Sequence, residues 1–418
     1  MDKNKPAQNG YDFHGAISRP VLENYLSRSI TMNGLLIGTG CTEDHLRMIH
    51  DLGAKFLGRA FNMTQSESYF SAAIMEARTL AERVHQVDAQ IILQATLLEG
   101  ISEEVDVIAV PAFVYEAFSL KLEKRNYRYR DMLFPDGSYA NLWRAGASVP
   151  DITRIETQMW FYHRACAYID IGIEAIHFGQ VQLMGRDDPG LRTWFLLLER
   201  VRRYAAQHAR RGMLLCDAHV SSGIDCYGLT PIPPEQPLGY TLDGRLLFDF
   251  NALPLRIKEI LDKPHQAELV VGHLDAIYGR SIGGITPSGW KCDHLPYLVD
   301  IDYWGATGKG GESVAGKIDK LQEIDSRFWV WGWDEICWFA SQPETQRNEW
   351  LWYAWKWIRK TDPNGFMEMP GMQKMLAPEG IYQANMPSES CPDGYGQEET
   401  IAAIWLSDQR GSEARKRV

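Results

Sequence analysis

The chain alternates short apolar runs with longer stretches in which apolar residues recur every three or four positions, the pattern of strands followed by amphipathic helices. The first run, 35–40 (LLIGTG), precedes a helical stretch at 43–52, and the second, 55–61 (KFLGRAF), precedes one at 66–87. A third run, 90–98 (QIILQATLL), follows directly. The spacing then breaks, because 102–150 holds Pro111, the turn Pro135-Asp136-Gly137 and Pro150 and is longer than an ordinary connection. The alternation resumes with a helix over 156–169, a strand at 175–181 (AIHFGQV), a helix over 191–209 and a strand at 213–219 (MLLCDAH). Beyond a Gly- and Pro-rich loop at 223–243, the sixth and seventh strands are expected at 245–250 (RLLFDF) and 268–271 (ELVV), the eighth at 328–333 (FWVWGW), and a helix over 345–359 closes the series. Alternation of this kind predicts parallel strands joined by crossover helices, here an α/β fold of the (β/α)8 (TIM-type) barrel with long insertions in the loops after its strands. The expected organisation is an N-terminal extension at 1–30 packed on the barrel, the catalytic barrel at 31–360 and a C-terminal extension at 361–418.

Composition narrows the function classes. A length of 418 residues suits one barrel with insertions. No stretch approaches the length of apolar chain that a membrane span needs, so no membrane partner is expected. The opening MDKNKPAQNG has no apolar run behind its lysines, and the seven cysteines, scattered from Cys41 to Cys391 without a CxxC pair, match reduced thiols. The expected location is therefore cytoplasmic. A net charge of −11 argues against nucleic acid, and the one basic cluster, Arg200, Arg202, Arg203, Arg210 and Arg211, falls on a predicted helix as a solvated face. The partner expected is a small-molecule or oligosaccharide substrate, with a homo-oligomer left open. Of 14 tryptophans, ten lie between 290 and 357. Indole suits either a packed core or a platform for the C–H face of a sugar ring.

In a barrel of this type the active site is assembled at the carboxyl ends of the strands. Those ends supply Arg59 and Asn62, Glu99, His177, Gln180 and Gln182, Asp217 and His219, Asp249 and Asn251, His273 and Asp275, and Asp334 with Glu335. Each also has a structural reading: Arg59 neutralising Glu99 across the mouth, Glu99 capping the following turn, His177 and His219 as satisfied core histidines. Glu335, at the end of an aromatic strand, is expected to be a general acid, because burial against indole raises a carboxyl pKa. Asp217 is expected to stay ionised beside His219 on its strand face, with Glu99 and Asp334 as reserve catalytic carboxyls. Arg59, His177, Gln180, His219, Asp275, Trp331 and Trp333 are the expected substrate-binding residues.

With its strand-end carboxyls, Trp-rich last strand and long loops, the region 30–360 resembles the (β/α)8-barrel glycoside hydrolases. The resemblance implies hydrolysis of a glycoside by paired carboxyl groups, one protonated and one ionised, with no metal or cofactor. One position departs from many retaining members of that group: Gln180 and Gln182 stand where those carry an acid/base Glu at the end of the fourth strand. Two rivals stay open. Asp217-Ala-His219 and His273-Leu-Asp275 place metal-ligand types two apart, as a metal-dependent lyase, aldolase or epimerase acting on a sugar acid would. A catalytically inactive carbohydrate-binding barrel is the other.

Overall fold

The computed structural model describes residues 10–63, 67–220, 236–260, 263, 266–272, 276, 278–301, 335–376 and 379–415. It shows a mixed α/β chain around a parallel-rich seven-stranded sheet. The strands used below are β1 (Ser29–Met32), β2 (Phe56–Phe61), β3 (Ile92–Thr96), β4 (Ala175–His177), β5 (Leu215–Asp217), β6 (Asn251–Pro254), β7 (Tyr297–Asp300), β8 (Gly365–Met367), β9 (Met369–Leu376) and β10 (Glu379–Gln383). The helices are α1 (Arg19–Leu26), α2 (Thr42–Leu52), α3 (Phe70–Val87), α4 (Ile155–Asp170), α5 (Arg192–His208), α6 (Glu335–Ser341), α7 (Glu344–Thr361) and α8 (Glu398–Arg415).

The large sheet runs in the order β10, β9, β1, β2, β3, β4, β5, and a three-stranded sheet in the order β6, β7, β8. Every neighbouring pair in both is parallel except β9 with β10. Two links connect the sheets. A parallel bridge pairs His219, just past β5, with Ala252 of β6. At the other side β8 and β9 are one run of chain broken only by Glu368, so the same segment pairs first with β7 and then with β1.

Period-two alternation puts one residue in two on the face opposite the helices. Phe56, Ile92, Ala175, Leu215, Phe250 and Leu298 form an apolar layer there, closed from below by Val21, Leu22, Tyr25 and Leu26 of α1. Pro20 in the first turn of α1 suits a position whose N–H has no helical partner. Two residues further along the strands, the same face carries Gly58, Gln94, His177, Asp217, Asp300 and Glu368. On the other face α3 lays Ala73, Ala77, Ala81 and Val84, one per turn, against the sheet, and small side chains let helix and strands approach closely. Arg210 and Arg211 do not form the solvated face expected of them: both pair with the buried Glu174 carboxylate, at 2.9 and 2.6 Å.

Several elements differ from expectation. The run 35–40 is not a strand but a single helical turn between Gly34 and Gly38, both left-handed at φ 86° and 73°. The first strand lies just before it, at Ser29–Met32. The strands of the parallel three-stranded sheet in this region are instead Asn251–Pro254 and Tyr297–Asp300, whereas Arg245–Leu246 and Ala267–Glu268 belong to small separate sheets, paired antiparallel with Thr241–Leu242 and Lys258–Glu259. The expected eighth strand at 328–333 lies outside the described residues. The main sheet draws strands from beyond the boundaries expected at 30 and 360, since β1 begins at Ser29 and β9 lies at Met369–Leu376.

If α1 is an integral plug, Leu22→Ala should cost about 2–5 kcal/mol in urea denaturation, as for a large core side chain. A loss within experimental error would make α1 a detachable extension.

Candidate active site

The polar layer is organised by Arg59. Its φ of 53° places a non-glycine residue in the left-handed region within β2, which costs roughly 1–2 kcal/mol, and the β2–β3 ladder is irregular between Leu57 and Phe61. The Gln94 side chain takes over there, Oε1 accepting from the Arg59 N–H at 2.9 Å. The guanidinium meets Asp300 on the distant strand β7, Nη2 to Oδ2 at 2.5 Å, with the two side chains 8% and 2% exposed.

Gln94 faces two ways. Its Nε2 donates to Asp217 Oδ1 at 2.7 Å, and Asp217 Oδ2 lies 2.7 Å from His177 Nδ1. His177 and Asp217 are register partners on β4 and β5. The His177 ring stands edge-on to His219, with centroids 4.7 Å apart. Desolvation raises the Asp217 carboxyl well above its ordinary range, opposed by the Gln94 hydrogen bond and by the charges of His219 and Arg59.

Glu368 completes the layer from the junction of β8 and β9. Its N–H donates to Val299 O at 2.9 Å, which sets it beside Asp300, and its Oε1 accepts from Ser29 Oγ at 3.0 Å. Its carboxyl occupies the space above Gly58, where a Cβ would collide with it. Burial first, and then the Asp300 charge, push its pKa from the ordinary 4.5 to about 8, against the pull of Arg59 and Ser29.

A cavity of about 440 Å³ opens over the carboxyl ends of β2 and β3, lined by Asn62, Thr96, Glu99, Trp143, Arg144 and Arg164 among others. Thr96 lies two residues beyond Gln94 on the same strand face. Its hydroxyl donates to Asn62 Oδ1 at 2.8 Å, and Asn62 Nδ2 donates to Asn33 Oδ1 at 2.9 Å. Trp143 and Arg144 come from the long insertion at 102–150, which thus walls the cavity as such loops do. The Trp143 indole donates to Glu99 O at 2.9 Å.

Of the residues expected from sequence, Arg59, His177, Asp217 and His219 come together. The pairings within the set differ. Arg59 joins Asp300, not Glu99. Glu99 instead accepts from the Gln180 backbone N–H at 3.0 Å and from Gln180 Nε2 at 3.2 Å, capping the short helix Val181–Met184. Asp217 takes His177 as its hydrogen-bond partner, and its carboxyl is shifted toward protonation, the reverse of the ionised role expected for it. Glu335 opens α6 and forms an ion pair with Arg256 at 2.9 Å, both side chains 2% exposed. Asp275, Asp334, Trp331 and Trp333, with His273, lie outside the described residues. Sequence reasoning missed Gln94, Asp300 and Glu368, although each is a polar residue within an otherwise apolar run. Among the described residues, no group of three His, Cys, Asp or Glu side chains is placed to hold a metal ion.

No protein-family model matches the chain, and no curated protein matches its sequence. Among solved structures, one similar chain is a Bacillus halodurans protein provisionally named an alpha-N-acetylgalactosaminidase, at 12% identity and TM-score 0.26. The match spans 47% of each chain, about half the length of that protein, and at this similarity it carries no argument. No described helix is long and apolar enough to cross a membrane.

The raised Glu368 pKa has a thermodynamic signature. The folded state holds this proton up to about pH 8, whereas the unfolded chain releases it near 4.5. The contribution to stability is therefore fully present below the unfolded value and is lost as pH rises through the folded one. Unfolding free energies measured between about pH 5 and about pH 9 should fall more steeply in the native protein than in Glu368→Gln, which cannot titrate. Parallel curves would remove Glu368 as the source.

Proposed function

We propose that this chain is a glycoside hydrolase-like enzyme whose strands close into a (β/α)8 barrel and whose chemistry is carried by carboxyl groups in the polar layer. The barrel reading is supported by the parallel pairings from β1 to β5, the His219–Ala252 bridge to β6, and the β8–β9 segment that pairs with both β7 and β1. In that arrangement the apolar layer with α1 plugs the amino end, and the polar layer faces the carboxyl end, where barrel enzymes keep their sites. The catalytic unit then spans 29–383, a single domain with α1 and α8 packed on it.

The observation that carries the functional reading is the contrast between two neighbouring carboxyls. Glu368 retains its proton near neutral pH, and Asp300 is ion-paired with Arg59. Environments that push two similar groups apart assign acid and base roles, as glycoside hydrolysis requires. Glu368 is the acid in this scheme and Asp300 the ionised partner. Asp217 with His177 is a second proton-sharing pair one strand away, and Glu99 and Trp143 belong to the sugar-binding wall. The cavity volume falls in the range of small-ligand sites, and an indole among polar groups suits a saccharide. The six described cysteines are free thiols, in keeping with a cytoplasmic setting.

A panel of aryl glycosides and oligosaccharides tests the reading. Turnover of at least one is expected, falling as pH rises through about 8 when the acid is lost. Glu368→Gln and Asp300→Asn should each lower kcat by about a hundredfold to ten-thousandfold with the fold retained. Near-normal rates in both variants, or activity that follows added metal, would overturn it.

A further inference from the structure

The cavity over the carboxyl ends of β2 and β3 is lined by two guanidinium groups, those of Arg144 and Arg164, that the catalytic reading does not use. Arg164 stands on α4 and is 6% exposed. Its Nε and Nη2 both donate to the Tyr168 hydroxyl, at 3.0 and 2.7 Å, and that hydroxyl donates in turn to Thr96 O, 3.3 Å away at the end of β3. The rings of Trp160 and Tyr168 lie 5.8 and 5.7 Å from the guanidinium carbon, within cation–π range. The group is therefore fixed before any ligand arrives.

What Arg164 lacks is a counter-charge. Among the described residues no carboxylate pairs with it, although arginine is almost never buried without such a partner. Nη1 donates to none of these residues, yet it is not one of the side-chain atoms sealed from solvent. Because Arg164 lines the cavity, a ligand there can reach that nitrogen. Arg144, on the insertion that also supplies Trp143, is exposed on the same lining and likewise has no carboxylate partner among the described residues.

The two carboxylates on the lining are held by other groups. Glu67 accepts from the Ser102 N–H at 3.1 Å and from the Ser102 hydroxyl, and Glu99 from the backbone and side chain of Gln180. Two carboxylates beside two guanidiniums favour a ligand with one negative charge over a dianionic phosphate. A planar carboxylate also matches the guanidinium fork.

We propose that this cavity binds an acidic sugar, its ring against Trp143 and its carboxylate held by Arg164 and Arg144. The proposal rests on the reading of the cavity as the sugar site and deepens it to hexuronic acids as the substrate class. D-glucuronate, D-galacturonate and D-mannuronate, with their parent hexoses and glucose 6-phosphate, would be titrated calorimetrically into the native protein. None has a glycosidic bond, so binding is read without turnover. At least one uronate should bind saturably, about tenfold or more tightly than its parent hexose and than glucose 6-phosphate, as expected for a hydrogen bond between charged groups. Arg164→Gln should abolish that preference. Arg144→Ala, at an exposed position, should reduce it severalfold, as for an exposed ion pair, with hexose binding unchanged. Uronates that bind no more tightly than their parents, or tighter binding of the phosphate, would overturn the proposal. So would a preference unchanged in Arg144→Ala, even where Arg164→Gln does not fold. Uronate binding without turnover of any glycoside would count against the catalytic reading alone, and turnover confined to neutral glycosides against this proposal alone.

Discussion

Among the described residues, Asp217, Asp300 and Glu368 share one buried strand layer with the Arg59 guanidinium and the His177 and His219 rings, and burial penalises the charged form of the Asp217 and Glu368 carboxyls. Desolvation, with the mutual repulsion of neighbouring carboxylates, favours the protonated form. The upward shifts at Asp217 and Glu368 express that constraint. Much of the surrounding architecture serves it. Gly58 leaves room for the Glu368 carboxyl, Gln94 orients Asp217 while holding the Arg59 backbone, and Ser29 donates to Glu368. The apolar layer against α1 removes solvent from one side, which strengthens the charge interactions beside it.

The parts of the fold legible from sequence are those in which one rule dominates. Strands β2 to β5 are apolar runs between amphipathic helices, and periodicity finds them within a few residues. The first strand escapes because Ser29-Ile30-Thr31-Met32 alternates polar residues into a polar interior, while the more apolar 35–40 is a helical turn forced by two left-handed glycines. Later strands escape for a different reason. Between β6 and β7 the chain makes short antiparallel pairs, Lys258–Glu259 with Ala267–Glu268 and Gly284–Ile285 with Lys291–Cys292, so the strand–helix rhythm no longer marks position.

The site was legible as a location and less so as a set of partners. Looking at strand ends finds Arg59, His177, Asp217 and His219, since the carboxyl ends face one region. Pairing residues along one strand, as Asp217 with His219, overlooks the neighbour across the ladder. His177 sits in register with Asp217 on the adjacent strand, and cross-strand partners approach more closely than residues two apart on one strand. Asp300 and Glu368 were hidden because tertiary contact, not local pattern, brings them together. Asp300 ends the run Tyr297-Leu298-Val299, and Glu368 is the lone charge between Phe366-Met367 and Met369-Pro370. A charged residue within or ending a short apolar run is the signal by which both could have been found.

A buried polar layer can also be purely structural, holding strands in register, and the decisive question is whether stability alone would maintain this one. Polar layers that only lock register need matched partners and relaxed backbone. Among the described residues, this layer holds two buried carboxyls shifted toward protonation and a left-handed arginine within a strand. Both features cost free energy, and neither is needed to seat α1 below or the helices outside, which pack on apolar surfaces of their own. A relaxed strand with an amide at 368 would still accept from Ser29 and remove one buried carboxyl. Backbone strain at Arg59 and upward-shifted carboxyls among its neighbours are the two features that support the proposed chemistry over a purely structural role.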